Sequence, residues 1–151
     1  MHVRKAVPDD LEAVAALFDA YRVFYKETAD LALARDFIDA RMRRNESVIF
    51  VAQDDQGKLL GFTQLYPTFS STAARRIWTL NDLYVADAAR GCGAGRALLD
   101  AARDFAIADG AARLELATQY HNVTAQRLYV AAGYHRDHEF FHYILQLERK
   151  T

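Results

Sequence analysis

Cysteine is almost absent from this sequence: Cys92 stands alone in 151 residues. One thiol can neither staple the fold nor assemble a cysteine-based zinc site, so no metal centre is expected and a reducing compartment suits the chain. An excess of one charge is lacking too, with 19 lysines and arginines against 20 aspartates and glutamates. A nucleic-acid binder would carry a basic surplus, and that class is set aside. No apolar run is long enough to span a bilayer, and the first ten residues hold two acids and a proline where a signal peptide needs an apolar core. The expectation is a cytoplasmic protein with no membrane contact. Proline occurs only at Pro8 and Pro67, and each reads as an element boundary.

What is present is a core. Hydrophobic residues make up 52% of the chain and charged ones 26%, enough for one packed domain over residues 1–151 and too little length for a second. Residues 2–6 read as a first strand. Pro8, Asp9, Asp10 and Glu12 then open a helix, since proline wastes no N–H in a first turn and the acids oppose the helix dipole. Leu11, Val14, Leu17, Phe18, Tyr21 and Tyr25 carry that helix to about residue 25 at three- and four-residue steps. A second helix is expected over residues 29–44, with Leu33, Phe37, Ile38 and Met42 inward.

Three strands follow, over residues 47–53, 58–66 and 76–85. Pro67 is expected to end the second, and a loop to occupy residues 68–74. Residues 90–96 (RGCGAGR) lead into a helix with Leu98, Leu99, Ala102, Phe105 and Ala106 inward and Gly110 as its stop. Further strands are expected at 113–118, 134–136 and 141–147, with a short helix at 124–132. This order predicts a mixed α/β domain: a mostly antiparallel twisted sheet with helices on both faces.

The stretch Arg90-Gly91-Cys92-Gly93-Ala94-Gly95-Arg96 carries the strongest chemical signal. Its glycines remove the Cβ atoms that would hold a ligand off the backbone, and the helix they open begins with unpartnered N–H groups at the positive end of its dipole. A diphosphate suits such a turn, and a ligand-free tight turn is the plain alternative. A kinase-type loop would need Lys and Ser or Thr after the last glycine, where Ala97 and Leu98 stand. The dinucleotide fingerprint needs GxGxxG spacing, which Gly91, Gly93 and Gly95 do not have.

Arg90, Gly93 and Gly95, preceded by Leu83-Tyr84-Val85, match the acyl-CoA loop of the GNAT acetyltransferase superfamily. A second signature follows in order: Asn122, Ala125, Leu128-Tyr129 and Gly133-Tyr134. The chain therefore resembles this superfamily from about residue 3 to residue 147, and within it the Hpa-type histone and polyamine acetyltransferases of yeast and their bacterial relatives. The resemblance implies the GNAT fold with a splayed pair of central strands, acetyl-CoA as cosubstrate and an amine acceptor. It places the pantetheine arm against the backbone of Tyr84 and Val85. The diphosphate would lie on the amides of Gly91, Cys92, Gly93, Ala94, Gly95 and Arg96, with Arg90 and Arg96 adding charge.

Asn122 reads as a helix N-cap, and the resemblance adds a contact to pantetheine. Tyr129 falls on the apolar side of its helix and would by periodicity alone be core; the resemblance makes it the hydrogen-bond donor to the departing sulfur. A lysine-like acceptor of pKa ~10.4 must shed a proton, at a cost of ~4 kcal/mol at neutral pH. In the polyamine cousins a glutamate before the aspartate of the long strand takes that proton. Asn81 stands there and cannot. Asp82 is the candidate acceptor, though a regular strand would point it away from the face of Asn81; a structural carboxylate is the alternative, and His121 and Glu27 are weaker candidates.

Tyr21, Phe24, Tyr25, Glu27 and Asp30 read either as an aromatic and acidic acceptor pocket for a cation or as core tyrosines beside a solvated helix end. Phe140, Phe141 and Tyr143 read either as a homodimer seam or as core. The alternative to an enzyme is a CoA-binding regulatory module that kept the cradle and lost turnover.

Overall fold

The computed structural model describes residues 1–148; the last three residues of the expected domain lie outside that range. Strand β1 (His2–Lys5) leads through one 3-10 turn at Pro8–Asp10 into helix α1 (Leu11–Phe24). Asp10 fastens this corner. Its carboxylate accepts two bonds from the Arg4 guanidinium at 2.7 and 2.9 Å and one from the Val7 amide at 2.8 Å, and the Arg4 bonds hold its pKa below the usual aspartate value.

Helix α2 (Leu31–Arg43) starts at Asp30, whose side chain caps the Leu33 amide at 3.1 Å. It buries Ala34 and Ile38, with Phe37 and Met42 partly covered. Leu33, expected inward, is exposed. The contact with α1 closes on Ala34, a residue small enough for close approach, and Leu33 lies about 100° further round the helix.

Strands β2 (Val48–Gln53), β3 (Leu59–Ser70), β4 (Arg75–Val85) and β5 (Leu114–Glu115) complete a five-stranded sheet ordered β1-β2-β3-β4-β5. The first three pairings are antiparallel and β4–β5 is parallel. Ile49, Val51 and Phe62 meet α1 and α2 on one face, whereas Val48, Leu65, Trp78 and Leu80 meet helix α3 (Ala94–Ala108) on the other. Alternation along each strand thus feeds two cores, which is why the strands read as nearly continuous apolar runs. The Trp78 indole N–H donates to Asp109 at 2.8 Å, tying β4 to the end of α3. Helix α4 (Val123–Ala131) then packs Leu128 and Tyr129 against the α3 side.

Several expected boundaries move. Pro67 does not end β3, which continues to Ser70, so the expected loop shrinks to the turn before Arg75. β2 begins opposite Leu65; beyond that point one edge of β3 is uncovered, and a nitrogen without a proton is tolerated there. The strand expected at 113–118 is ordered as a ladder only over Leu114–Glu115. Neither residues 134–136 nor 141–147 form a strand. The latter has the β-forming side chains but pairs with no strand among the described residues, and propensity does not make a ladder alone.

Gly61 is where the sheet is tightest. A Cβ at this position would lie 2.6 Å from the Tyr84 carbonyl oxygen and 3.2 Å from Val85. Replacing Gly61 by Ala is expected to cost about 1–3 kcal/mol, read as a lower urea midpoint with an unchanged slope. An unaltered midpoint would show that β3 and β4 can part here without penalty.

Candidate active site

The site is built along β4. Its pairing with β3 skips a residue: Gln64 lies opposite Asp82 and Leu65 opposite Leu80, so Asn81 is the extra residue of a bulge. The regular alternation that would separate Asn81 from Asp82 is broken at this point. The Asn81 side-chain amide turns back and donates to the Asp82 carboxylate at 2.8 Å.

Asp82 is only 2% exposed, and on the β3 side Thr63 and Gln64 are both fully buried. Ser47 Oγ donates to Gln64 Oε1 at 2.8 Å, which turns the Gln64 amide nitrogen toward Asp82 Oδ2. Thr63 Oγ1 donates to the Asp82 main-chain carbonyl at 2.7 Å. Burial pushes the carboxyl above the ordinary aspartate value, with the Asn81 and Gln64 hydrogen bonds opposing it. The two buried polar residues Thr63 and Gln64 had not been singled out in the sequence. Their signal was a polar pair inside an otherwise apolar strand, since buried polar side chains need partners.

Tyrosines surround this carboxylate. The Tyr21 hydroxyl donates to the Asn81 carbonyl at 3.1 Å, and its ring lies 5.0 Å from that of Tyr25 and 6.4 Å from that of Tyr84. Burial raises the phenol of Tyr21, and the charge of Asp82 and the phenols of Tyr25 and Tyr129 add to the effect. Tyr66 and Tyr129 are each pushed up to about 12, again mainly by burial. Asp82 and Tyr129, found separately in the sequence, thus belong to one electrostatic neighbourhood with Tyr21 and Tyr25. Glu27 and Asp30 do not join it: Glu27 pairs with Arg22 at 3.9 Å, and Asp30 caps α2. His121 is exposed.

At its other end β4 runs through Tyr84 and Val85 to a 3-10 turn at Asp87–Ala89 and then to the glycines. Gly91 and Gly93 have φ of 84° and 85°, a left-handed conformation that the missing Cβ permits, and a Cβ at either would meet nothing within 4 Å. No side chain caps α3. Its first-turn amides therefore face the open space before Gly93 without an internal partner, and the exposed backbone of Gly91, Cys92 and Gly93 lines it.

Gly95 serves a different purpose. A Cβ there would lie 3.2 Å from Leu128, so this glycine lets α4 approach the start of α3. Arg90 lies over the rings of Tyr84 and Phe24, pairs with Asp87 at 2.9 Å and donates to the Val85 carbonyl at 3.1 Å. Arg96 pairs with Asp100 at 3.0 Å and reaches the Ala131 carbonyl at 3.1 Å. Both guanidinium groups therefore border the turn, anchored to their neighbours. Asn122 caps α4 by accepting from the Ala125 amide at 3.1 Å. Cys92 is exposed in the turn.

The parting of β4 and β5 lies between these features. The two strands pair only at Trp78–Leu114 and Thr79–Glu115; from Leu80 to Val85 β4 has a strand partner on its β3 side alone. A cleft of about 290 Å³ lined by Leu99, Leu114, Ala132 and Tyr134 is separate and contains none of the Asp82 network.

The model of the acetyltransferase (GNAT) family matches residues 12–134. The chain is 47% identical over 150 residues to the uncharacterized N-acetyltransferase YhfO of Bacillus subtilis, covering 99% of this chain and 100% of that one. It is 30% identical over 140 residues to the D-amino-acid N-acetyltransferase HPA3 of Saccharomyces cerevisiae, covering 89% of this chain and 85% of the relative. A crystal structure described as a probable acetyltransferase superposes with a TM-score of 0.95 at 39% identity, over 99% of this chain and 100% of that one. The chain belongs to the GNAT family of acetyltransferases, and acetyl transfer is its chemistry.

Proposed function

We propose that residues 1–151 form one cytoplasmic acetyltransferase domain that moves the acetyl group of acetyl-CoA to a primary amine by direct attack in a ternary complex. One observation carries this reading: β4 parts from β5 after Thr79, the buried Asp82 lies within the parted stretch, and the uncapped glycine turn follows its end. A thioester donor bound along that stretch has its diphosphate on the amides of residues 91–96. Its pantetheine lies against the backbone of Tyr84 and Val85, with Asn122 alongside. Its reacting carbonyl is then carried toward the tyrosines. Two copies associate through the exposed Phe140, Phe141 and Tyr143.

In the reaction the amine nitrogen bonds to the thioester carbon, the carbon–sulfur bond breaks, and one proton leaves the nitrogen while the sulfur gains one. Asp82 accepts or orients the amine proton. Tyr129 keeps its own. With the phenol at about 12 and a thiol near ~8.5, full transfer to the thiolate would be uphill by about 5 kcal/mol. Its role is therefore a hydrogen bond to the developing sulfur anion, with water completing the transfer. The rings of Tyr21 and Tyr25 beside a carboxylate suit a cationic acceptor. The D-amino-acid acetyltransferase among the relatives puts amino acids beside polyamines, aminoglycosides and lysine peptides as acceptors to try.

Thiol release from acetyl-CoA across that panel, with CoA binding measured in parallel, tests the proposal directly. Turnover with one amine class is expected; tight CoA binding with no release from any amine would favour a silent CoA-binding module. Tyr129→Phe is expected to lower kcat about 100-fold while CoA affinity stays within about twofold; unchanged kcat would remove the phenol from the chemistry. Gly93→Val forces a β-branched residue to a φ of 85° and puts its side chain into the cradle. Calorimetry should show CoA affinity falling at least about tenfold, and retained affinity would mean that the diphosphate binds elsewhere.

The raised pKa of Asp82 gives two pH signatures. On the acid side, kcat/KM should fall as Asp82 takes up a proton, at a pH above the ordinary aspartate value, and Asp82→Asn should abolish that limb. For stability the sign is opposite to that of a salt-bridged carboxylate. The folded state holds this proton more tightly than the unfolded chain, so stability is lost as pH rises from the unfolded aspartate value through the folded one. Asp82→Asn should flatten that slope in melting curves taken from pH ~3.5 to neutrality, and parallel slopes would contradict the burial account.

A further inference from the structure

The aspartate assigned the amine proton is covered. Asp82 is 2% exposed, and both of its carboxylate oxygens are engaged, Oδ1 by the Asn81 amide at 2.8 Å and Oδ2 by the Gln64 amide. Thr63 and Gln64 beside it on β3 are fully buried as well. An acceptor nitrogen arriving from solvent therefore needs an intermediary that reaches the carboxylate on one side and the open pocket on the other.

Tyr21 has that position. It lies near the end of α1 and is only partly buried. Its hydroxyl donates to the main-chain carbonyl of Asn81 at 3.1 Å, and Asn81 is an exposed residue. The same hydroxyl interacts with the Asp82 carboxylate through a hydrogen bond that favours the ionised carboxylate and the protonated phenol. A phenol rotates its single hydrogen, so it can aim that hydrogen at Asp82 while its oxygen accepts another. The other phenols lack this link. Tyr25 on the same helix feels the charge of Asp82 alone, as does Tyr66 on β3, which Arg41 of α2 also influences. Tyr129 on α4 responds to the phenols of Tyr25 and Tyr134. The Tyr21 ring is held independently of its oxygen, stacked on Phe18 with centroids 6.2 Å apart and edge-on to Phe62 at 6.0 Å.

We propose that Tyr21 is a further catalytic residue, the relay that carries the amine proton to Asp82. This rests on the acetyl-transfer reading above, with Asp82 as its proton acceptor. As the nitrogen lone pair bonds to the thioester carbon, the N–H proton passes to the Tyr21 oxygen while the phenolic proton passes to an Asp82 oxygen. The electron pair of the broken N–H bond stays on nitrogen. The phenol ends neutral with a new proton, and Asp82 ends as the carboxylic acid. Both transfers belong to one step, because burial beside Asp82 makes a free phenolate costly here. Once the amide has left, the proton returns to solvent by the same route reversed.

Single-turnover thiol release is measured for wild type, Tyr21→Phe, Asp82→Asn and the double variant, with polyamines, amino acids, aminoglycosides and lysine peptides as acceptors. Tyr21→Phe is expected to slow release at saturating amine at least about tenfold, with CoA affinity within about twofold, since the ring keeps its packing. A smaller loss would remove the hydroxyl from the path. Two groups acting in series give losses that do not multiply, so the double variant should be about as slow as the slower single variant. Losses that multiply would overturn the relay. For wild type alone, rates in mixtures of light and heavy water should follow a curve, as two protons moving in one step require. A straight line would overturn the relay even if the variants fail to fold. Full activity in Asp82→Asn would overturn Asp82 as the acceptor and the relay with it, whereas no release by wild type with any amine would overturn the acetyl-transfer reading itself.

Discussion

β4 has a strand partner along its length on one side only, and the proposed chemistry depends on that asymmetry. Toward β3 it is paired from Arg75 to Val85; toward β5 the ladder lasts two residues. An unpaired strand edge inside a fold is costly because each peptide group needs a partner. Here the uncovered stretch runs from Leu80 past Tyr21 and Tyr84 toward the glycine turn, where the proposed amide-bearing ligand would supply those partners. The close approach at Gly61 keeps the other edge fixed, so that ligand binding need not reshape the sheet.

The same asymmetry explains why a carboxylate can be kept in the interior. Burying a charge is expensive unless hydrogen bonds accompany it. Asp82 receives Asn81 on one oxygen and Gln64 on the other, and Gln64 is oriented by Ser47 from the start of β2. These neutral amides support the anion without a cation to lock it in place, and burial still prevails, leaving the carboxyl above its ordinary value. A salt-bridged aspartate such as Asp10 is shifted in the other direction and serves the fold. The two aspartates show how the charge of its partner shifts one residue type in opposite directions.

Much of this was legible in the sequence because the signals were local. The helix start after Pro8, the stop at Gly110, the inward face of α3 and the cap at Asn122 each follow from a few adjacent residues. The misread boundaries were those set by neighbours. Pro67 punctuates a strand only if both edges are covered, and the start of β2 opposite Leu65 cannot be seen from the proline. Leu33 fits the helical period but lies beside the contact that Ala34 makes. Residues 141–147 have the composition of a strand, whereas a strand needs a ladder, and this segment pairs with none of the five strands. In the site, the glycines, Tyr129 and Asp82 were visible. The bulge and the Gln64–Ser47 support were not, because they arise from a register between β3 and β4 that no local pattern encodes.

That bulge also resolves the difficulty that Asn81 posed. In the polyamine acetyltransferases that the sequence resembles, a glutamate at this position takes the proton, and an asparagine there looks like a lost function. The extra residue in β4 changes what the position does: Asn81 becomes a donor to the neighbouring carboxylate, and Asp82 turns into the buried network. The phenols around it keep their protons at neutral pH, and the other titratable candidates lie elsewhere. Burial raises the phenols of Tyr21, Tyr66 and Tyr129 far above neutrality, Glu27 is drawn to Arg22, and His121 is exposed to solvent. The proposed proton acceptor is therefore Asp82, one residue further along the strand, with the Asn81 side chain donating to its carboxylate.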